Sequence, residues 1–514
     1  MLKILGRFFQ SRIFIIMLLL LLQLFIIVLA LLRASEFMPF LIPASYIFSF
    51  LMVLYILSRD MHSAYKLAWI VPILLMPIFG GLFYFLFGMH GFRRRRLIKR
   101  FKPYEEIKAK EVCDDEALQE LRALDGDAAL QSFFISNTVK DSLYHKTQTQ
   151  YFPTGEAWYA SFMEDIKQAK HSIFIEFFII EEGVMLNPLL DLLELKAKEG
   201  LDVRLLYDDL GSAFRVARNF PAQMEARGIK CSPFNARGLK LSFVLNNRDH
   251  RKIVVIDSKI SYTGGCNIAD EYINAKQRFG VWKDTMVRLD GEASKSFSIL
   301  FLEMWSFARG EIEPNIERLT PDSSYYEDCE NDGFVQPFGD ASPLNRLQTG
   351  KDVYLNAIQD ARSSIYITTP YLIMDQETLS TLRIAAQMGL DVRIITPGIP
   401  DKRFVYEVTR ANYTELLRAG VKIYEFSAGF IHAKSLVADD KIAIVSTVNF
   451  DYRSFYLHFE NGVWMYKSKA VHQCHQDILD TCEVSREVSL EEQEQVSMPV
   501  RIARAVLSAF APLL

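Results

Sequence analysis

Positive charge is not in excess in this chain: 58 lysines and arginines stand against 62 acidic residues, a formal net charge of -4 with histidine neutral. A protein built to neutralise a nucleic-acid backbone normally carries a surplus of basic residues, so DNA and RNA are disfavoured as partners. Cysteine is scarce too. The six cysteines, Cys113, Cys231, Cys266, Cys329, Cys474 and Cys482, include no CxxC pair and read as reduced thiols facing a cytosol. His472, Cys474, His475 and Cys482 lie near one another in sequence, but their spacing fits no structural zinc pattern, and a solvated helix is the preferred reading. Apolar residues, by contrast, are abundant. Half of the 514 residues are hydrophobic and 23% are charged, which excludes global disorder and supplies a large core and more than one domain.

The apolar residues are concentrated at the start. Ile13–Leu32 is interrupted only by Gln23, and twenty residues at 1.5 Å each match a hydrocarbon core about 30 Å thick. A second run covers residues 38–57. A third, 67–89, contains Pro72, Pro77 and the pair Gly80-Gly81, and is expected to kink or re-enter. A second apolar run so soon after the first argues against a cleaved signal peptide. Arg93–Arg96, Lys99, Arg100 and Lys102 follow the third run and should stay cytoplasmic with everything after them. Lys3, Arg7 and Arg12 make the same demand. Two crossings plus a re-entrant segment satisfy both clusters, and the arginine run also suits anionic lipid.

The remainder repeats itself. Ala169–Glu176 lines up with Ala361–Thr368, Gly200–Arg204 with Gly389–Arg393, and Gly228–Lys230 with Gly420–Lys422, at offsets of 192, 189 and 192. Each copy reads strand, helix, strand: Ile173–Ile180, a helix through Leu186, Leu189, Leu190 and Leu193 stopped by Gly200, then Val203–Tyr207; and Ile365–Thr369, a helix about Leu379 and Leu382 stopped by Gly389, then Val392–Thr396. Alternating strands and helices predict an α/β fold with parallel pairing, here as two tandem halves. The divisions expected are a membrane segment at 1–90, a charged linker at 91–150, one half at 151–310, a connector at 311–347 and a second half at 348–514.

Each half carries one chemical motif. His250, Lys252 and Asp257 precede Gly264-Gly265-Cys266-Asn267; His432, Lys434 and Asp439 precede Ser446-Thr447-Val448-Asn449. His to Lys is 2, His to Asp 7 and His to Asn 17 in both copies. A lone histidine in an apolar strand is usually a satisfied core residue, but four polar positions duplicated in register are not chance. His at i and Lys at i+2 share one face of an extended strand and can meet one phosphate. Lysine and the asparagine amide offset charge on phosphoryl oxygens, while two histidines supply a nucleophile and a general acid that then acts as base. No metal or other cofactor is required. Asp257 and Asp439 lie past the strand and are expected to hold the loop.

The doubled HxKxxxxD followed by GGxN or STxN resembles the phospholipase D superfamily. The stretch from Ala68-Trp69 to Gly88 with its arginine cluster, Thr447–Ser454, and Phe459-Glu460 are similar to bacterial cardiolipin synthases, a resemblance running from about Leu67 to Leu514. It implies a multi-pass cell-membrane enzyme with phosphatidylglycerol as both donor and acceptor, releasing glycerol through a phosphatidyl-histidine. It further implies that Glu460, 28 residues after His432, orients a motif histidine, with Asp284, 34 residues after His250, as its first-half counterpart. A phospholipase D hydrolase or a membrane-bound nuclease of the same superfamily, and an idle lipid-binding scaffold, are the alternatives.

Weaker signals remain. Leu239–Leu245 before the first motif is either a core strand or an interfacial element. Val500, Ile502, Val506 and Leu507 form one face of a C-terminal helix that either lies on lipid or docks on the protein. Glu181-Glu182 and Asp208-Asp209 read as loop ends, with Asp208-Asp209 also a candidate headgroup contact.

Overall fold

In the computed structural model, which describes residues 21–26, 28, 34–59, 61–88, 94–111, 116–234, 247–310 and 312–513 apart from 314, 315, 320, 322, 342, 343, 345 and 346, the chain forms two units, Met1–His90 and Gly91–Pro512. The first apolar run and Leu239–Leu245 lie largely or wholly outside the described residues. In the first unit, the helix Ala34–Leu57 contains Pro39–Leu57, long and apolar enough to cross a membrane. The third run is broken at Met76 into helices Ser63–Leu75 and Pro77–Phe87. At about 1.5 Å per residue neither piece alone spans a bilayer.

The second unit is built on two sheets. The strands of the first half are β1 (Thr147–Phe152), β2 (Ser172–Phe177), β3 (Asp202–Asp208), β4 (Lys230–Phe234), β5 (Lys252–Ile256), β6 (Ile260–Gly264), β7 (Val281–Lys283) and β8 (Met286–Gly291). Those of the second are β9 (Phe334–Asp340), β10 (Ser364–Thr368), β11 (Leu372–Ile373), β12 (Asp391–Pro397), β13 (Lys422–Phe426), β14 (Gly429–Ile431), β15 (Ser435–Ala438), β16 (Ile442–Ser446), β17 (Phe450–Asp451), β18 (Glu460–Tyr466) and β19 (Arg486–Glu487). The main sheets run β1-β8-β6-β5-β2-β3-β4 and β9-β18-β16-β15-β10-β12-β13-β19. Apart from the extra edge strand β19 these are the same sheet twice. The repeat seen in the sequence is therefore a repeat of topology.

Within the two main sheets parallel pairing holds only for β2-β3-β4 and β10-β12-β13; the motif strands β5 and β15 run antiparallel to β2 and β10. The reason is local. Asp257-Ser258 and Asp439-Asp440 take left-handed φ of 54°, 55°, 55° and 53°, making tight hairpins to β6 and β16 that need no helical crossover. Where helices do intervene, the apolar spacing works as read. Leu186–Lys198 buries Leu186, Leu189, Leu190 and Leu193 and ends before Gly200 at φ 95°; Gln376–Gln387 starts on the Asp375 cap to Thr378 N at 2.9 Å and ends before Gly389 at φ 95°.

One hydrophobic cluster fills the space between the sheets and includes helix residues Phe297, Leu300, Phe301, Val471, Cys474 and Ile478, while two others cover the outer faces. The stretch read as a charged linker is not free of the core: Leu118, Leu121, Ala128 and Ile135 pack on the second sheet and Gln131 accepts a hydrogen bond from Trp464 Nε1 at 3.0 Å. The stretch read as connector supplies the edge strand β9. The C-terminal helix Met498–Ala509 docks through buried Arg504, bonded to Glu407 at 2.8 Å, and leaves Met498, Ile502 and Val506 exposed.

Candidate active site

The sheets meet where the motifs begin. Lys252 opens β5 and Lys434 immediately precedes β15, so each histidine stands at the strand end where the halves touch. Backbone bonds fix both across the boundary: His250 N donates to Phe459 O at 2.9 Å, and His432 N to Lys283 O at 2.7 Å. Asn461 from β18 accepts from Lys252 N at 3.2 Å and donates to Thr263 Oγ1 at 2.7 Å. The motif strand of one half is thus bonded into the strand end of the other.

The carboxylates are exchanged. His250 Nδ1 lies 3.0 and 2.9 Å from the two oxygens of Glu460, and His432 Nδ1 lies 2.6 Å from Asp284 Oδ2. Each acid serves the histidine of the opposite half. Thr447 Oγ1 donates to Glu460 at 2.5 Å, and Thr285 N to Asp284 at 2.8 Å. The lysines fold back over their own motifs: Lys252 Nζ donates to His250 O at 2.6 Å, while Lys434 Nζ donates to His432 O and sits 2.8 Å from its Nδ1. Phe178 packs edge-on against His250 at 5.0 Å between ring centroids, and Tyr272 against His432 at 5.5 Å.

Charge is crowded and nearly dry here. His250 and His432 are 6% and 8% exposed, and both lysines less. Burial, then the lysines of both motifs, holds the two imidazoles well below their ordinary value, so both are neutral at pH 7. Burial likewise lowers Lys252 to about 7 and Lys434 to about 8, against the pull of Glu460 and Asp284. Burial raises Asp284 to about 7 despite Lys434. Two histidines, two lysines and two carboxylates thus share one buried volume.

Asp257 and Asp439 sit at the other end of the motif strands. Asp257 accepts from Lys170, His171 and Ser172 N at 2.8, 2.7 and 2.8 Å; Asp439 accepts from Arg362, Ser363 and Ser364 N at 2.7, 2.7 and 3.0 Å. Each ties its hairpin to the start of β2 or β10. Asn267 accepts from Ile179 N at 2.9 Å and donates to Tyr272 OH at 2.7 Å, holding the loop after β2. Asn449 is buried. Asp208 pairs with buried Arg248 and accepts from Leu210 and Gly211 N, while Glu181 pairs with Arg215 and Lys276. These acids bind loops together.

Spacing did not reveal His458, Thr447 or Asn461, nor the exchange of carboxylates. The pairing Gly264↔Met286 in the first sheet and Ser446↔Gly462 in the second makes Asp284 and Glu460 equivalent, although they follow their motifs by 34 and 28 residues. That six-residue difference hid the correspondence. Two groups of donors among the described residues lie within 4.8 Å of one another: His250, His458 and Glu460 in the site, and Asp440, His472 and His475 at the surface. Cys474 and Cys482 belong to the core rather than to the surface group.

The cardiolipin synthase, PLD-like domain family matches residues 162–305 and 354–481, and the phospholipase D-nuclease N-terminal family matches 47–88. A cardiolipin synthase of Halalkalibacterium halodurans is 32% identical over 89% of this chain and 91% of its own, and cardiolipin synthase 2 of Bacillus anthracis 34% identical over 91% and 90%. An uncharacterized protein of Streptococcus mutans is 37% identical over 90% and 99%. The crystal structure of phosphatidylserine synthase from Haemophilus influenzae shares the fold, with a TM-score of 0.54, 16% identity, and coverage of 71% of this chain and 95% of that one.

Proposed function

The chain belongs to the cardiolipin synthase family of phospholipase D-like phosphatidyltransferases, and from that premise we propose that it transfers a phosphatidyl group from one phosphatidylglycerol to another, giving cardiolipin and glycerol. The exchanged carboxylates carry the reading. With Nδ1 of His250 engaged by Glu460, Nε2 is the nitrogen that attacks phosphorus. The bond from phosphorus to the glycerol oxygen breaks, and His432, held by Asp284, gives that oxygen its proton. The attacking hydroxyl of the second phosphatidylglycerol then returns a proton to His432 as the phosphorus–nitrogen bond breaks.

Both imidazoles are neutral at pH 7, which suits His250 as nucleophile. The charge of a bound phosphodiester favours protonated His432 and fully charged Lys252 and Lys434, which hold its oxygens. The second amide hydrogen of Asn267, and Asn449, complete the cradle. No metal or cofactor enters this scheme. Asp257 and Asp439 act through the hairpins. Rapid denaturation in neutral detergent of enzyme caught turning over phosphatidylglycerol, which spares the acid-labile phosphorus–nitrogen bond, followed by peptide mapping, tests it: a phosphatidyl adduct on His250 supports the scheme, and an adduct only on His432 reverses the roles.

The Pro39–Leu57 helix, the N-terminal family match and the curated relatives suggest a membrane protein. We place it in the cell membrane as a multi-pass protein with its catalytic unit in the cytoplasm, on the strength of the basic cluster from Arg93 to Lys102. The net charge of -4 disfavours a nucleic-acid substrate.

A further inference from the structure

The two halves are alike in motif and strand order but not in what stands beside each histidine. Trp282 and His458, two residues before Asp284 and Glu460, are equivalent too, because the residues after them, Lys283 and Phe459, each accept a hydrogen bond from the backbone N of a motif histidine. Both rings face a motif histidine at the same distance: Trp282 is 5.5 Å from His432, and His458 is 5.5 Å from His250. An indole there is a wall. An imidazole has two nitrogens to use.

His458 is 8% exposed, and its backbone is clamped by the first motif. Phe459 N donates to Arg248 O at 2.8 Å, and Asn247 Nδ2 donates to Leu457 O at 3.0 Å. Arg453 Nε donates to His458 Nε2 at 3.4 Å. A guanidinium only donates, so Nε2 accepts and the ring proton sits on Nδ1. That nitrogen is 3.5 Å from Glu460 Oε1 and makes no hydrogen bond among the described residues. The order is Arg453, His458, Glu460, His250, each side chain facing the next. On the other side Asp284 is met by the backbone N–H of Thr285 and by Lys434 instead.

We propose that His458 is a positioning residue: tethered by Arg453, it turns its Nδ1–H to the Glu460 carboxylate that holds His250, so that His250 and His432 are not interchangeable. This rests on the reading that these two histidines carry the transfer. Lys252, Lys434 and Thr447 act on the same cluster from the motif strands and β16, so a change at His458 alters one of several supports, not the whole site.

The test uses the full chain in phosphatidylglycerol bilayers with His458→Leu, which keeps the volume but has no polar atom, and His458→Asn, whose amide N–H replaces Nδ1–H. Removing the Nδ1–H that faces the Glu460 carboxylate should lower kcat of His458→Leu by about 10- to 100-fold, with KM nearly unchanged, while His458→Asn recovers to within about threefold. A second measurement needs no turnover: the rate at which diethyl pyrocarbonate modifies His250, read by peptide mapping. It should fall in His458→Leu and recover in His458→Asn, with the His432 rate constant throughout. Equal His250 rates in all three proteins would overturn the proposal whatever the substrate proves to be. Slowing of both histidines together with a lower unfolding temperature would also overturn it, because His458 would then be packing alone. If the modification pattern appears but no lipid product forms, the assigned reaction fails and His458 keeps its role.

Discussion

Glu460, which opens the last main strand of the second half, holds Nδ1 of His250 in the first half at 2.9 Å. Asp284 returns the arrangement to His432 at 2.6 Å. Neither half therefore contains a complete histidine–carboxylate pair of its own. Separated halves should be inactive, and a double-mutant cycle should find His250 coupled to Glu460. Glu460→Gln is expected to lower kcat by about 100-fold or more, because the amide misorients the ring. Additive effects of His250→Ala and Glu460→Gln would contradict the exchange.

The hairpin aspartates should matter for stability rather than chemistry. Asp439→Ala strands the N–H groups of Arg362, Ser363 and Ser364, and is expected to destabilise the second half by roughly 2–4 kcal/mol, visible as a lower unfolding temperature. Burial alone would raise the Asp439 carboxyl, but hydrogen bonds from Ser364, Arg362 and Ser363 outweigh it and hold it below its ordinary value. Its folded value is depressed, so its contribution is present above the unfolded value, near 3.9, and is lost as pH falls through the folded one. Asp439→Asn should remove that part of the acid sensitivity. Full thermal stability with abolished turnover in Asp439→Ala would place the residue in the chemistry instead.

The pH profile of kcat/KM follows from the same burial. Both histidines stay neutral well below pH 6.5, so they do not set the acid limb. Asp284, raised to about 7, does: below that pH it is protonated and releases His432. Above it, Lys252 at about 7 and Lys434 at about 8 lose the charges that bind phosphate. A narrow optimum between 7 and 8 is expected, with the acid limb weakened in Asp284→Asn. An alkaline limb near 10, where ordinary lysines titrate, would contradict it.

Topology can be read with a native thiol. Cys329 is half-buried, whereas Cys231, Cys266, Cys474 and Cys482 are buried. With the catalytic unit in the cytoplasm, a membrane-impermeant maleimide should label Cys329 only after the cells are opened. Labelling in intact cells would place the unit outside.

Much of the fold was legible because its signals are local. The apolar spacing of Leu186, Leu189, Leu190 and Leu193 and the stops at Gly200 and Gly389 marked the helices, and repeated residues marked the halves. The direction of β5 and β15 was not, because a three-residue hairpin turn, Asp257–Lys259, leaves no apolar pattern to read. The histidines, lysines and both carboxylates, which the structure brings together, were named from spacing and resemblance. Their pairing was not, since Asp284 and Glu460 are 148 and 210 residues from the histidines they hold, and only the meeting of two sheets brings them there. His458 escaped for the same reason, as its role depends on a neighbour in the other half.

Whether one buried pair of histidines moves a phosphatidyl group between two phosphatidylglycerols is decided by supplying purified full-length protein with bilayers of phosphatidylglycerol alone and weighing the products. Glycerol and cardiolipin in equal amounts, both lost in His250→Ala, are predicted. Phosphatidic acid without cardiolipin would make the enzyme a hydrolase, and no glycerol at all would contradict the account.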